Sequence, residues 1–410
     1  MKKLISLLLI CSMLLYLLFP NIINAQSKNT STEKEGEAVT VTATVDSQLN
    51  LSSPSAVLIE GSTGTIIFEK DKDERLKPAS ITKIMTLLLI FEALDAGKIK
   101  LSDEVSVSEY AASMGGSQVY LEPYEIQTVE TMIKCISIAS ANDASVAMAE
   151  LVNGSEEEFV AKMNERAKEL GMNNTNFVNC CGLDTDNHYS SAYDVALMSR
   201  ELITNHPEIS KYSTVWMDTI IHTTKKGQSE FGLTNTNKMV KFYQGITGLK
   251  TGSTSLAKYC LSATARKNDM DLIAVILAAP DTKTRFMEAS KLLNYGFANY
   301  SIYKDNNTDI VLTPVKVKKG VQDTVQGKTN GEFSYLCAKG QTPEDIRKEV
   351  IMNEEISAPV VQDDKIGEIT YYLNDSKIGS IDIIAAEAIG KANYKDCFVK
   401  VLKRYFLGSK

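Results

Sequence analysis

The segment Lys77-Pro-Ala-Ser-Ile-Thr-Lys-Ile-Met-Thr86 places a serine and a lysine one helical turn apart, directly before the apolar run at 87–91. This pattern predicts a buried helix that begins near Ala79, with Ser80 in its first turn. An unpaired ammonium inside a protein is costly, because it loses its hydration. Lys83 should therefore be paired, or its pKa should fall so that a neutral amine can take the proton of Ser80. A capping serine beside a lysine that extends to solvent is the simpler alternative for this motif alone.

The spacing by itself carries little information, because Ser31-Thr-Glu-Lys34 repeats it in a polar, low-complexity segment. Two further segments carry more. Ser140-Ala-Asn142 places a hydroxyl and a carboxamide in an apolar, helix-prone stretch, where buried polar groups need hydrogen-bond partners. Lys250-Thr-Gly252 precedes a β-prone run, so its side chains can project from a strand while the glycine lets a ligand approach. A helix cap and a turn, respectively, are the alternatives.

The composition is typical of a globular protein, and the N-terminal segment predicts export. The chain has 410 residues, 44% of them hydrophobic, and a formal net charge of -7. This length is typical of two or three domains, and the acidic balance argues against nucleic-acid binding. Two lysines followed by an apolar run at 4–19 predict a signal peptide over residues 1–25, with an uncleaved membrane anchor as the alternative.

Cysteine usage predicts thiols rather than a disulfide framework. The cysteines beyond the signal peptide are scattered through the chain, and no Cys-x-x-Cys pair occurs. We expect most of them to be buried and free, although export would permit disulfides. The adjacent Cys180 and Cys181 lack the spacing typical of a metal site.

The order of patterns predicts an α/β fold followed by a β-rich unit. Residues 26–46 are polar and predict a flexible spacer. Residues 47–300 predict one α/β domain, with strands near 55–60, 65–69, 259–265 and 272–278 and helices near 129–152, 159–170 and 285–297. The continuous apolar character of 272–278 predicts a central strand. Residues 301–386, with alternation at 309–313, 315–318, 367–372 and 379–384, predict a small all-β domain.

The segment 387–410 predicts an amphipathic helix. Its apolar stripe consists of Tyr394, Phe398, Val401, Leu402 and Tyr405, and its cations are Lys395, Lys400, Lys403 and Arg404. A helix docked on the β domain is one interpretation. A helix that lies in the membrane interface, with its cations on anionic headgroups, is the other and is favoured by a basic end on an acidic protein.

Ser-x-x-Lys, Ser-x-Asn and Lys-Thr-Gly, in this order, form the signature of penicillin-binding proteins and serine β-lactamases. The chain resembles the low-molecular-mass penicillin-binding proteins that are serine-type D-alanyl-D-alanine carboxypeptidases. The resemblance implies a β-lactamase/transpeptidase-like domain, in which helices and a helical subdomain flank an antiparallel sheet. Further positions that follow the family pattern are Gly115-Gly-Ser117, Met163-Asn164, Leu170-Gly-Met172, Thr175, Phe177, Asn179, Gly182-Leu183, His188, Ala192, Asp194, Asn235-Thr-Asn-Lys238 and 248–266.

The resemblance implies a role for each motif residue. Ser80 would attack the carbonyl between two D-alanines of a peptidoglycan stem peptide, with Lys83 as the base. Ser140 would relay the proton to the leaving amine, and Asn142 would bind a substrate amide and hold Lys83. The residues implied to bind substrate or its terminal carboxylate are Lys250, Thr251, Gly252, Ser253 and Arg285.

The same resemblance implies the surroundings of the reaction. The backbone N–H groups of Ser80 and Ser253 would form the oxyanion hole. No metal or organic cofactor is expected. The implied partners are peptidoglycan stem peptides, β-lactam antibiotics and the membrane surface, and the implied location is the outer face of the cytoplasmic membrane or the cell wall. Two departures affect substrate contacts: Ser253 stands where many relatives have histidine, and Thr236 where some have arginine.

Three other functions are less favoured. The best-known class of β-lactamases needs a glutamate between the second and third motifs, and residues 182–194 contain none. A non-catalytic wall-binding module should have lost a motif residue, and none is missing. A Ser-His-Asp hydrolase lacks its Gly-x-Ser-x-Gly turn, and among the histidines His188, His206 and His222 we expect His188 to be structural.

Overall fold

The computed structural model describes residues 49–225 and 227–407. The predicted signal peptide and spacer lie outside these residues. The strands are β1 (Ser55–Glu60), β2 (Ile66–Lys70), β3 (Glu104–Ser106), β4 (Ile126–Thr128), β5 (Met217–Thr224), β6 (Gly227–Thr234), β7 (Ile246–Thr254), β8 (Lys258–Lys267), β9 (Met270–Ala279), β10 (Tyr300–Asp305), β11 (Val315–Lys318), β12 (Thr324–Val325), β13 (Gly327–Thr329), β14 (Phe333–Ala338), β15 (Ile346–Met352), β16 (Glu355–Ser357), β17 (Lys365–Leu373) and β18 (Ser376–Ala385). The α-helices are α1 (Lys83–Asp95), α2 (Glu109–Ala112), α3 (Val129–Lys134), α4 (Asn142–Asn153), α5 (Glu156–Glu169), α6 (Ala192–Asn205), α7 (Ser210–Ser213), α8 (Met239–Phe242), α9 (Thr282–Asn299) and α10 (Tyr394–Leu407).

A five-stranded antiparallel sheet in the order β2-β1-β9-β8-β7 carries the fold. The prediction that 272–278 forms a central strand is confirmed. Successive residues of β9 point to opposite faces of the sheet. Ile273 and Val275 join the core that includes α1 and α4, and Leu272 and Ala274 join the core that includes α9. Because helices cover both faces, the strand is apolar at nearly every position.

The sequence predicted one continuous helix over 129–152, but the structure has a break in it. α3 ends at Lys134, a π-helical turn follows at Cys135–Ala139, and Ser140 takes a left-handed conformation with φ of 63° before α4 begins at Asn142. Apolar periodicity does not reveal such a break, because residues on both sides of it stay buried. π-helical turns occur often at functional sites.

The part of the chain after α9 is rich in β-strands. It contains the sheets β10-β14, β12-β11-β16 and β13-β18-β17-β15 around a separate core that includes Phe333, Ile369 and Tyr371. The predicted strand at 309–313 is wrong. This segment has no regular strand and follows Asn307, whose Oδ1 accepts a hydrogen bond from the buried Tyr371 hydroxyl at 2.8 Å.

The C-terminal helix begins at Tyr394, seven residues after the predicted start at 387. Two isolated β-bridges hold the preceding segment on the β-rich part, Val360 with Ile389 and Gly320 with Lys391. The predicted α/β class, with an antiparallel sheet flanked by helices, a β-rich part and a terminal helix, is confirmed. Within 49–225 and 227–407, no helix combines the length and apolar character that crossing a membrane requires.

Candidate active site

Ser80 lies in a single 3-10 turn, Ala79–Thr82, rather than in the first turn of an α-helix as predicted. α1 then begins at Lys83. Residues three apart in a 3-10 helix lie on the same side. The half-buried Ser80 and the buried Lys83 therefore face each other, with 3.1 Å between Lys83 Nζ and Ser80 Oγ.

Three oxygens surround the Lys83 amine. Its Nζ lies 2.6 Å from Asn142 Oδ1, 2.8 Å from the Cys181 carbonyl oxygen and 3.1 Å from Ser80 Oγ. The first two atoms can only accept hydrogen bonds, whereas the serine hydroxyl can also donate. A neutral amine with two N–H groups thus satisfies both acceptors and turns its lone pair to the Ser80 hydroxyl. This is the geometry that a general base needs.

Ser140 and Asn142 reach the site from the break between α3 and α4. Asn142 Nδ2 donates to the Gly115 carbonyl at 2.6 Å, while its Oδ1 holds Lys83. Both ends of the carboxamide are therefore fixed. Ser140 faces the opposite wall, where its Oγ accepts a hydrogen bond from Lys250 Nζ at 2.7 Å.

β7 forms the opposite wall. Lys250 Nζ also donates to the Thr251 carbonyl at 3.1 Å, and Thr251 Oγ1 donates to Thr236 Oγ1 at 2.7 Å. At Gly252, β7 passes close to the 3-10 turn that carries Ser80, here called the serine turn. A Cβ at this position would lie 2.7 Å from the Pro78 carbonyl oxygen, so the close approach requires glycine. Ser253, the next residue of β7, is exposed.

Arg285 lies behind β7, at the start of α9. Its Nη1 donates to the carbonyl oxygens of Gly252 at 3.0 Å and Cys260 at 3.2 Å, and only 7% of the residue is exposed. Its Nε is buried and makes no hydrogen bond within the described residues. In this structure Nη1 of Arg285 thus holds the backbone of the lysine-bearing strand.

Burial decides the electrostatics of the two lysines. Desolvation lowers the pKa of Lys83. The pKa of Lys250 is lowered well below its usual value, first by desolvation and then by the positive charges of Lys83 and Arg285. The described hydrogen bonds of both amines go to neutral oxygens and not to carboxylates. This environment favours neutral amines, as proton transfer requires.

His188 has a structural contact. Its Nδ1 accepts from the Val178 backbone N–H at 3.0 Å, so in the neutral ring the proton is on Nε2, which lies 2.8 Å from Thr82 Oγ1. Burial lowers the pKa of His188 to about 4. The described side chains that could ligate a metal form two groups, Glu156 with Cys180 and Cys181, and Asp95 with His206 and Glu208, and neither contains a motif residue.

Sequence reasoning gave no role to three backbone features of the site. The carbonyl of Cys181 accepts from Lys83, and that of Gly115 accepts from Asn142. Gly182, with φ of 85°, allows the Ala79 carbonyl to pack where a Cβ would lie 1.8 Å away. The family pattern at 115–117 and 182–183 marked these segments, but a carbonyl acceptor does not depend on its side chain and leaves no motif.

Comparison with known proteins agrees with this geometry. A peptidase family model described as D-alanyl-D-alanine carboxypeptidase matches residues 40–281, and one described as the C-terminal domain of penicillin-binding protein 5 matches residues 297–391. The chain is 45% identical to the D-alanyl-D-alanine carboxypeptidase DacF of Bacillus subtilis over 98% of both chains.

Solved structures show the same likeness. Penicillin-binding protein 5 of Haemophilus influenzae has a TM-score of 0.70 and 30% identity, over 83% of this chain and 98% of that one. Penicillin-binding protein D2 of Listeria monocytogenes, in its ampicillin-bound form, has a TM-score of 0.51 and 31% identity, over 60% of this chain and 98% of that one. The chain therefore belongs to the D-alanyl-D-alanine carboxypeptidase family of serine peptidases.

Proposed function

We propose that this protein removes the terminal D-alanine from peptidoglycan stem pentapeptides through an acyl-enzyme on Ser80. The observation that supports this most directly is the environment of Lys83, whose amine is buried, bound by two acceptors and directed at the Ser80 hydroxyl. Family membership supports the substrate.

Acylation begins when the neutral Lys83 amine takes the Ser80 proton. Ser80 Oγ then attacks the carbonyl carbon of the D-Ala-D-Ala bond, and the carbonyl oxygen becomes an oxyanion. The N–H groups of Ser80 and Ser253 stabilise this charge, and one such donor is typically worth about 2.7–4 kcal/mol. The close packing of Gly252 in β7 against Pro78 and Ala79, the residues next to Ser80, supports this pairing of donors.

Departure of D-alanine needs a proton on its amine. Ser140 passes its hydroxyl proton to that nitrogen and regains one from the Lys83 ammonium, which becomes neutral again, while Lys250 holds Ser140 Oγ. Lys250 and Thr251 meet the terminal carboxylate. Arg285 acts as a positioning residue, because it fixes the Gly252 carbonyl and with it the strand that carries Lys250 and Thr251. Water, activated by Lys83, then hydrolyses the ester.

β-Lactams would acylate Ser80 in the same way. The opened ring stays attached as a tethered leaving group, so we expect a long-lived adduct rather than rapid turnover. The ampicillin-bound Listeria relative supports this expectation. Intact-mass spectrometry after addition of penicillin distinguishes a lasting adduct from the behaviour of a β-lactamase, which would return the unmodified protein with hydrolysed drug.

The deciding assay is D-alanine release from a diacetylated tripeptide that ends in D-Ala-D-Ala. The Ser80→Ala variant should lose release by on the order of 10³-fold or more, because the nucleophile is gone. Ser31→Ala is the matched control, since Ser31 has the same spacing to a lysine within the predicted spacer, and it should leave release unchanged. Undiminished release by Ser80→Ala would show that another group is the nucleophile.

We also propose that the protein is exported and that α10 lies on the outer surface of the cytoplasmic membrane. Lys400 contacts the β-rich part through the Gly320 carbonyl at 2.8 Å, but the apolar stripe stays uncovered within the described residues. Tyr394 is 90% exposed and Tyr405 82%. An apolar face of this kind, with lysines beside it, fits the boundary between headgroups and acyl chains.

A chain that ends at Asn393 should test this placement, because it removes α10 and keeps the buried Ile389 on the β-rich part. We expect it to stay in solution when the full-length protein sediments with vesicles of phosphatidylglycerol, and to keep its D-alanine release. Vesicles of phosphatidylcholine provide the control for charge. Equal sedimentation of both proteins would contradict the membrane role of α10.

A further inference from the structure

Two adjacent thiols lie directly behind the catalytic lysine. Cys180 and Cys181 are both buried and free, with their Sγ atoms 3.6 Å apart. Glu156, at the start of α5, is the third member of this cluster: its Oε1 accepts the Cys180 backbone N–H at 2.9 Å. One ligand atom from each of the three residues lies within 4.8 Å of the others.

We propose that Cys180, Cys181 and Glu156 form a binding site for a soft divalent metal ion of the Zn²⁺ or Cd²⁺ class. Two thiolates on one tetrahedral ion, with metal–sulfur bonds of about 2.3 Å, lie roughly 3.8 Å apart. The sulfur atoms already lie at 3.6 Å, so the pair needs almost no rearrangement to bind one ion. Two metal–sulfur bonds form as the two thiol protons leave to solvent, and the carboxylate is the third ligand.

The carboxylate and the solvent can complete the coordination. A carboxylate oxygen and a sulfur on the same tetrahedral ion lie roughly 3.5 Å apart, so from a separation within 4.8 Å the Glu156 oxygen must move inward by no more than about 1.3 Å. Glu156 and Val178 also line a surface cavity of about 390 Å³. Neither cysteine lines this cavity, so an ion would enter past Glu156, and water on the cavity side would take the fourth position.

The metal would act on the catalytic group through Cys181. The thiol of Cys181 donates to the Asn142 carbonyl at 3.5 Å, and its carbonyl accepts from Lys83 Nζ at 2.8 Å. A metal–thiolate bond removes the first of these hydrogen bonds and pulls on the peptide that makes the second. We expect one bound ion to slow acylation of Ser80 by on the order of 2- to 10-fold, which is the range for one lost hydrogen bond. This coupling depends on the proposed function, whereas metal binding does not.

The test is titration of the full chain with Cd²⁺ in the presence of a phosphine reductant, followed by the ultraviolet thiolate-to-cadmium absorption band. We expect one equivalent to bind. Cys180→Ser and Cys181→Ser should abolish the band, and Glu156→Gln should weaken binding at least about tenfold. Cys397→Ser, which changes an exposed cysteine in α10, is the matched control and should keep the band unchanged. A band that survives both Cys180→Ser and Cys181→Ser overturns the proposal.

Two further readouts keep the test decisive. If a cysteine variant fails to fold, as judged by circular dichroism, Glu156→Gln still tests the site because it leaves both thiols in place, and unchanged affinity there overturns the three-residue site. The rate of labelling by a fluorescent penicillin, with and without one equivalent of Cd²⁺, tests the coupling. An unchanged rate with the band present overturns the coupling alone, and absence of labelling without metal would instead contradict the proposed function.

Discussion

Replacing Asn142 by aspartate is the sharpest test of the claim that Lys83 acts as a neutral base. Asn142 Oδ1 lies 2.6 Å from Lys83 Nζ, and the side chain of aspartate has the same shape. The substitution therefore changes the charge beside the amine with little change in volume. It also places a second acceptor against the Gly115 carbonyl oxygen, which Asn142 Nδ2 now binds at 2.6 Å.

The sign of the effect follows from the charge. Burial holds the pKa of Lys83 below its usual value, because the charged amine loses hydration and has only neutral acceptors in contact. A carboxylate in contact stabilises the ammonium form and raises the pKa, typically by about 1–3 units for such a pair. Since only the neutral amine takes the Ser80 proton, the rising limb of the pH–rate profile should move to higher pH by the same amount. Below that limb the acylation rate should fall about 10- to 1000-fold.

The assay is the second-order rate of acylation by a fluorescent penicillin between pH 6 and 11, for the wild type and Asn142→Asp. Asn164→Asp is the matched control, because Asn164 also bridges backbone groups, to Phe177, but lies away from Lys83. It should leave the position of the limb unchanged. A limb at the same pH in Asn142→Asp and the wild type, in a variant with native circular dichroism, would refute the assignment of Lys83 as the base.

Three further predictions test other parts of the structure. Gly252→Ala should slow acylation at least about tenfold while the protein remains folded, because the new Cβ would lie 2.7 Å from the Pro78 carbonyl oxygen and push β7 off the serine turn. The rate of labelling by a fluorescent penicillin measures this effect, and a wild-type rate would contradict the close approach. Arg285→Leu should raise KM for the tripeptide more than it lowers kcat, since the Gly252 carbonyl loses the hydrogen bond from Arg285. Steady-state kinetics of D-alanine release measure both constants, and unchanged values would exclude a positioning role. Burial lowers the pKa of His188 from 6.5 to about 4, so the unfolded chain takes up the proton at a higher pH than the folded chain. About 3 kcal/mol of stability should therefore be lost as the pH falls from about 6.5 to 4. Urea unfolding at several pH values should show a smaller loss in His188→Gln, and equal losses would contradict the buried neutral ring.

Much of the fold could be predicted from local patterns. The hairpin β1–β2, the helix after Ala79 and the central strand β9 each have a period or an apolar run that a window of a few residues reveals. The errors have a common cause. The π-helical turn before Ser140 and the irregular segment at 309–313 each lie beside a polar contact with a distant part of the chain, to Lys250 for the first and to Tyr371 for the second, which a local window does not reveal.

The sequence by itself determined the identities and order of the groups proposed to react: Ser80 and Lys83 one turn apart, then Ser140 and Asn142, then Lys250. Only the tertiary structure decided that these segments meet, across separations of 59 residues from Lys83 to Asn142 and 110 from Ser140 to Lys250. It also decided the electrostatics of the two lysines, because desolvation depends on every atom packed around an amine and on no local spacing. For the same reason the backbone acceptor at Cys181 and the support of β7 by Arg285 became visible only in the folded chain.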